Sequence, residues 1–158
     1  MKKITEILGL KENESAAVAS KLNVLLASYQ MYYQNLRGFH WNIKGNQFFS
    51  LHAKFEELYG DAVEKIDEIA ERILTLGASP LHSFEDYIKV SSIKAEVNKS
   101  DAVSTISITL DNISALIKIE REVLSLAEAA DDEGTLAMMS DYISQQEKLV
   151  WMLTSFMK

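Results

Sequence analysis

A chain of 158 residues has room for one compact domain, and with 47% hydrophobic residues, one proline and six glycines it excludes both disorder and a turn-rich all-β fold. The lack of cysteine removes disulfide scaffolds, thiolate zinc sites, iron–sulfur clusters and cysteine nucleophiles. With 16 Lys and Arg against 23 Asp and Glu, the formal charge of −7 repels nucleic acid and anionic membrane and attracts cations.

The N-terminal stretch reaches Glu6 and Lys11 before any apolar run develops, so no secretory signal is expected. No run of about 18 apolar residues suggests a membrane span, and the default compartment is the cytoplasm. The first helical stripe is Val18, Leu22, Leu25, Tyr29, Tyr32, Leu36 and Phe39, in steps of three and four. Asn13 or Ser15 is a candidate cap, and Gly38 or Gly45 a candidate stop. A second stripe runs Phe48, Leu51, Phe55, Leu58, Ala62, Ile66, Ile69, Ile73, Leu76 and meets Gly77, with Pro80 three residues on. Residues 81–88 suit a short helix within a long connection. The third stripe (Ile106, Leu110, Ile113, Ile117, Leu124, Ala127) is broken by the acidic turn Asp131-Asp132-Glu133-Gly134, and the fourth carries Leu136, Met139, Ile143, Leu149, Leu153 and Phe156. The expectation is a single all-α domain over 1–158. It is the ferritin-like variant of the four-helix bundle, whose long crossover, here carrying the short helix, joins helices two and three.

No Gly-rich phosphate loop and no nucleophile motif is present. The Glu-x-x-His signature of an intra-bundle di-iron site is missing too, because Arg37, Phe49 and Ser79 stand three residues before the histidines. What remains is His40 at the end of the first helix and two i,i+4 pairs on the second, His52 with Glu56 and Asp67 with Glu71. At about 100° per residue Glu56 and Asp67 lie only about 20° apart, so both pairs share nearly one face. Along the axis, His52 and Glu71 are separated by about 28 Å, too far for one ion. Two copies packed antiparallel about a two-fold axis near Asp61 and Ala62 bring His52 and Glu56 opposite Asp67 and Glu71 of the partner subunit, making two identical sites. The same spacing also fits a solvated helix face on a helical dimer without metal. Histidine and carboxylate together suit iron, manganese or zinc alike.

The stretch Asn35-Leu36-Arg37-Gly38-Phe39-His40-Trp41-Asn42-Ile43-Lys44-Gly45, continued by Phe48-Phe49 and Leu51-His52, resembles the Dps family (DNA-binding proteins from starved cells, or miniferritins). The likeness continues through Asp67-Glu68-Ile69-Ala70-Glu71-Arg72-Ile73, Gly134-Thr135, Glu147-Lys148 and Trp151-Met152-Leu153. It implies a ferritin-like subunit assembled as a hollow dodecamer, with ferroxidase centres at two-fold interfaces. His40 and His52 match the family's histidine ligands and anchor one iron on this reading. Asp67 and Glu71 match the carboxylates of the partner subunit, with Glu71 able to bridge to a second iron near Glu56. Glu56 stands where most members have aspartate, one methylene shorter. Trp41 and the neighbouring tyrosines suit core packing; the family adds that aromatics beside the site intercept stray oxidising equivalents.

The implied activity is oxidation of Fe(II), often by hydrogen peroxide and otherwise by oxygen, with ferric mineral stored inside the shell. Other divalent metals can take the place of iron. The alternative is a nucleoid-binding structural protein whose metal site is secondary. Against it, Lys2, Lys3 and Lys11 are matched by Glu6, Glu12 and Glu14, no basic tail follows Met157-Lys158, and twelve copies at −7 each give −84 formally. DNA binding is therefore expected to be weak or absent. For iron entry the family uses acidic pores near the start of the last helix, where Glu128, Asp132 and Glu133 are the candidate pore residues; the same acids also suit a capped helix N-terminus.

Overall fold

The computed structural model describes residues 2–158, and every regular element among them is a helix. They are α1 (Ile4–Leu8), α2 (Glu12–Asn42), α3 (Phe48–Thr75), α4 (Phe84–Val90), α5 (Ala102–Ala129) and α6 (Glu133–Phe156). α2, α3, α5 and α6 are the bundle, α4 lies in the crossover, and α1 is a short turn of helix that no apolar stripe announces. The interior is closed by Leu22, Leu25, Leu36, Phe39, Phe55, Ile69, Ile73, Ile106, Ile113, Val123 and Met139, each almost wholly buried.

One helix boundary differs from the sequence reading, and another falls at the second of its two candidates. α2 begins with Lys11 in the cap position and no side-chain cap, while Ser15 is buried inside the helix. Gly38 lies within α2, which runs on to Asn42; Gly45, at φ +102°, then turns the chain into α3. The end of α3 follows the expected chemistry. Gly77 takes φ +80°, and the Ala78 amide reaches back to the Ile73 carbonyl at 3.1 Å, closing the helix end. A Cβ on Gly77 would stand 2.9 Å from Ile4 Cγ2, so the glycine also lets α1 pack on this turn.

The crossover is held to α2 by polar side chains rather than by a stripe. Asn23 donates to the Ser79 carbonyl (3.1 Å) and accepts from the Leu81 amide (2.8 Å); Asn35 does the same to Lys94 and Glu96, both at 2.9 Å. Ser28 Oγ accepts from the Ser92 amide at 3.1 Å. These residues satisfy backbone groups of a segment with no ladder of its own. Ser83 caps α4 by accepting from the Asp86 amide.

α5 is long and apolar enough to cross a membrane by composition, but it packs against α2 and α6 and carries the buried Glu120 in its middle. Its buried set, Ile106, Ile113, Leu116, Ile119, Val123 and Ala127, is rotated from the expected stripe, with Leu110, Ile117 and Leu124 only half-buried. A helix apolar on most of its circumference does not declare its inner face.

Candidate metal centre

A loop of five residues, 43–47, folds α3 back along α2 and brings His40, in the last turn of α2, against His52, in the first turn of α3. The imidazole rings stack with centroids 3.8 Å apart and planes 16° from parallel. Each ring is pinned by the other's backbone: His40 Nδ1 lies 2.7 Å from the His52 carbonyl and His52 Nδ1 2.8 Å from the His40 carbonyl. Since a carbonyl oxygen only accepts, both Nδ1 atoms carry hydrogen, and in the neutral rings Nε2 keeps its lone pair. The His40 carbonyl belongs to the last turn of α2, where carbonyls lack intrahelical donors, so His52 also satisfies a helix end. Phe48 stacks on His52 (5.0 Å) and Tyr59 meets His40 edge-on (5.3 Å). Both imidazoles are thus held in one tautomer and one orientation, each with Nε2 as its free nitrogen.

The two rings lie in nearly parallel planes, so their in-plane Nε2 lone pairs do not converge on one point in this arrangement. Glu56, Asp67 and Glu71 all lie exposed on α3, and among the described residues none has a hydrogen-bond or ion-pair partner for its carboxylate. Among the described residues of one subunit, no three His, Asp or Glu side chains gather into a metal cluster.

Inside the bundle is a polar group that the sequence reading passed over. Glu120 of α5 is fully buried; its Oε1 accepts from the Tyr29 hydroxyl (2.8 Å) and from Gln146 Nε2 (2.7 Å). Burial pushes its carboxyl up to about 7, although both donors and the Lys65 ammonium pull the other way. Lys65, itself buried, bonds Asp61 and Gln145 and lies over the Tyr142 ring. The signal was available: Glu120 falls three residues before Val123 and four after Leu116, on the buried side of α5.

The model of the ferritin-like domain matches residues 19–158. The DNA protection during starvation protein of Porphyromonas gingivalis is 47% identical over 99% of this chain and 98% of its own. Among solved structures, the Dps protein of Vibrio cholerae O1, described as a member of the ferritin-like diiron-carboxylate superfamily, is 51% identical, covers 100% of this chain and 99% of its own, and superposes with a TM-score of 0.96. The Dps protein of Bacillus brevis is 36% identical, covering 94% of this chain and 99% of its own with a TM-score of 0.90. The chain belongs to the Dps family.

Two further residues of this Dps subunit depart from their expected places. Trp41 does not pack in the core: it is 58% exposed, with the Arg37 guanidinium 4.7 Å from its ring and 5.1 Å from that of Tyr33. Asp132 does not face outward as a pore residue would. It is 3% exposed, caps α6 by accepting from the Thr135 amide (3.0 Å) and hydroxyl (2.6 Å), and pairs with Arg72 of α3, which also donates to Thr135 Oγ1 (2.8 Å). Its charge is spent on tying α3 to the α5–α6 turn. Glu128 and Glu133 are exposed.

Proposed function

We propose that this Dps chain oxidises Fe(II) to Fe(III) at centres shared by two subunits and stores the ferric product within a dodecameric shell in the cytoplasm. The observation that carries this reading is the stacked, tautomer-fixed His40–His52 pair at one end of the α3 face, with the unpartnered Asp67 and Glu71 at the other. Antiparallel pairing of two subunits sets each end against the other. Imidazole nitrogen accepts both oxidation states of iron, and carboxylate oxygen favours the harder Fe(III). The separate ring planes support two iron positions, one per histidine.

Two adjacent irons make hydrogen peroxide the suitable oxidant. Two Fe(II) give one electron each to one peroxide, which with two protons leaves as two waters, and no hydroxyl radical is released. Oxygen is the slower alternative. DNA is protected through this chemistry rather than by coating: Lys3 is paired with Glu12 at 2.7 Å and Lys11 with Glu14 at 3.1 Å, so two of the three N-terminal lysines are offset within the subunit. Iron entry falls to Glu128 and Glu133 at the α5–α6 turn, Asp132 being engaged internally.

The test is subunit mixing. A His52→Ala variant and a Glu71→Ala variant, each poorly active, are dissociated, mixed and reassembled, and Fe(II) oxidation is followed with peroxide and with oxygen. Shared centres predict partial recovery, because mixed dimers contain one intact and one doubly damaged centre, and the two-electron chemistry predicts a faster rate with peroxide. No recovery despite proven subunit exchange overturns the shared centre.

A further inference from the structure

We infer that Gly60 and Val63 are positioning residues for the shared centre: at the two-fold axis Val63 of one subunit enters the gap over Gly60 of the partner subunit and sets the separation of the two α3 helices. The inference rests on the shared-centre reading and adds to it the contact that fixes its dimensions.

Antiparallel pairing about a point midway between Asp61 and Ala62 exchanges α3 positions equally far from that point. His52 then meets Glu71, Glu56 meets Asp67, Phe49 meets Leu74 and Gly60 meets Val63. At about 100° per residue all eight positions lie within about 50° of one line along the helix. The exposed side chains agree with a face built for a second copy. Phe49 is 85%, Val63 45% and Leu74 54% exposed, three apolar groups that the subunit leaves uncovered. Across the axis Glu56 stands against Asp67 and His52 against Glu71, so the polar groups gather as one imidazole and three carboxylates at each end while the apolar groups supply the contact.

Gly60 has no explanation within the subunit. It lies in the middle of a helix of 28 residues, where glycine weakens the helix relative to alanine. A Cβ added there meets nothing within 4 Å, and its φ is not left-handed, so neither packing nor backbone conformation requires glycine. A second copy does. Gly60 and Val63 each lie about 2 Å along the axis from the two-fold point, while His52 and Glu71 lie about 14 Å out. The central contact therefore governs how closely the helices approach, and with it the reach from imidazole to carboxylate at both ends.

The decisive experiment exchanges knob and hole. In Gly60→Val, valine faces valine; in Val63→Gly, glycine faces glycine; in the double variant Gly60→Val/Val63→Gly the valine–glycine contact returns with the partners reversed. Cobalt(II) binding is titrated by absorption, with circular dichroism checking subunit helicity and kcat and KM for Fe(II) read separately. Each single variant is expected to weaken cobalt binding roughly tenfold or more and to raise KM. The double variant is expected to return to within about threefold of the parent, and Gly60→Ala to fall between the parent and Gly60→Val. Unchanged binding in the single variants, or a double variant no better than the worse single, overturns the assignment. If the His52→Ala and Glu71→Ala subunits also fail to complement, the shared centre itself has failed; if they complement, only the role of Gly60 and Val63 has.

Discussion

Replacing Glu120 by glutamine should stabilise the protein at neutral and alkaline pH and leave it little changed in acid. The carboxyl is fully buried, and its value is raised from 4.5 to about 7, with burial the largest cause. Below pH 4.5 the folded and unfolded chains both hold the proton. Between 4.5 and about 7 the unfolded chain releases it while the folded chain keeps it, so stability falls as pH rises through this window. Above about 7 the fold carries a buried carboxylate and the loss is complete. That gap corresponds to about 3 kcal/mol over the whole window, and to about 2 kcal/mol between pH 5.5 and pH 8. Glutamine keeps an acceptor for the Tyr29 hydroxyl and Gln146 Nε2 and never ionises. The assay is guanidinium unfolding of parent and Glu120→Gln at equal subunit concentration, at pH 5.5 and pH 8. Glu120 has no surface in its own subunit, so the pH dependence of assembly is common to both proteins and cancels in the comparison. The advantage of the variant should grow by about 2 kcal/mol from pH 5.5 to pH 8. A difference that does not change with pH would refute the reasoning.

Neutralising Glu128 and Glu133 together, as Glu128→Gln/Glu133→Gln, should slow iron uptake several-fold at low ionic strength and little at high salt, with assembly intact by size-exclusion chromatography. Asp132→Asn should behave differently, lowering stability by about 3 kcal/mol because it leaves Arg72 without its buried counter-charge; thermal unfolding reads the loss. Lys2→Ala/Lys3→Ala should not alter DNA retardation in a gel shift at physiological salt, since Lys3 is already paired with Glu12.

The four long helices were legible because a helix repeats every 3.6 residues, and a stripe in threes and fours states its period locally. Gly77 was legible for the same reason, as a positive φ after the last apolar position is a local demand. The i,i+4 pairs and the distance between them followed from helix geometry alone, including the conclusion that Glu56, Asp67 and Glu71 stand apart along one face. Burial was another matter. Which side of α5 turns inward depends on α2 and α6, so the buried place of Glu120 was hidden in a helix that is apolar nearly all round. Trp41 carries an aromatic side chain that suits a core, yet it lies outside because α2 turns that face away from the bundle. Asp132 belongs by composition to an acidic turn; only the approach of Arg72 from a helix 60 residues earlier in the chain gives it an internal partner. The same holds for the histidines. Only the family resemblance joined His40 to His52; the stack of their rings and the choice of Nδ1 as donor arise where α3 folds back on α2 and each backbone carbonyl meets the other ring. Sequence determines which groups are available at a helix face, because that is a matter of period. The direction in which each lone pair points is decided by packing between elements, which no local pattern encodes.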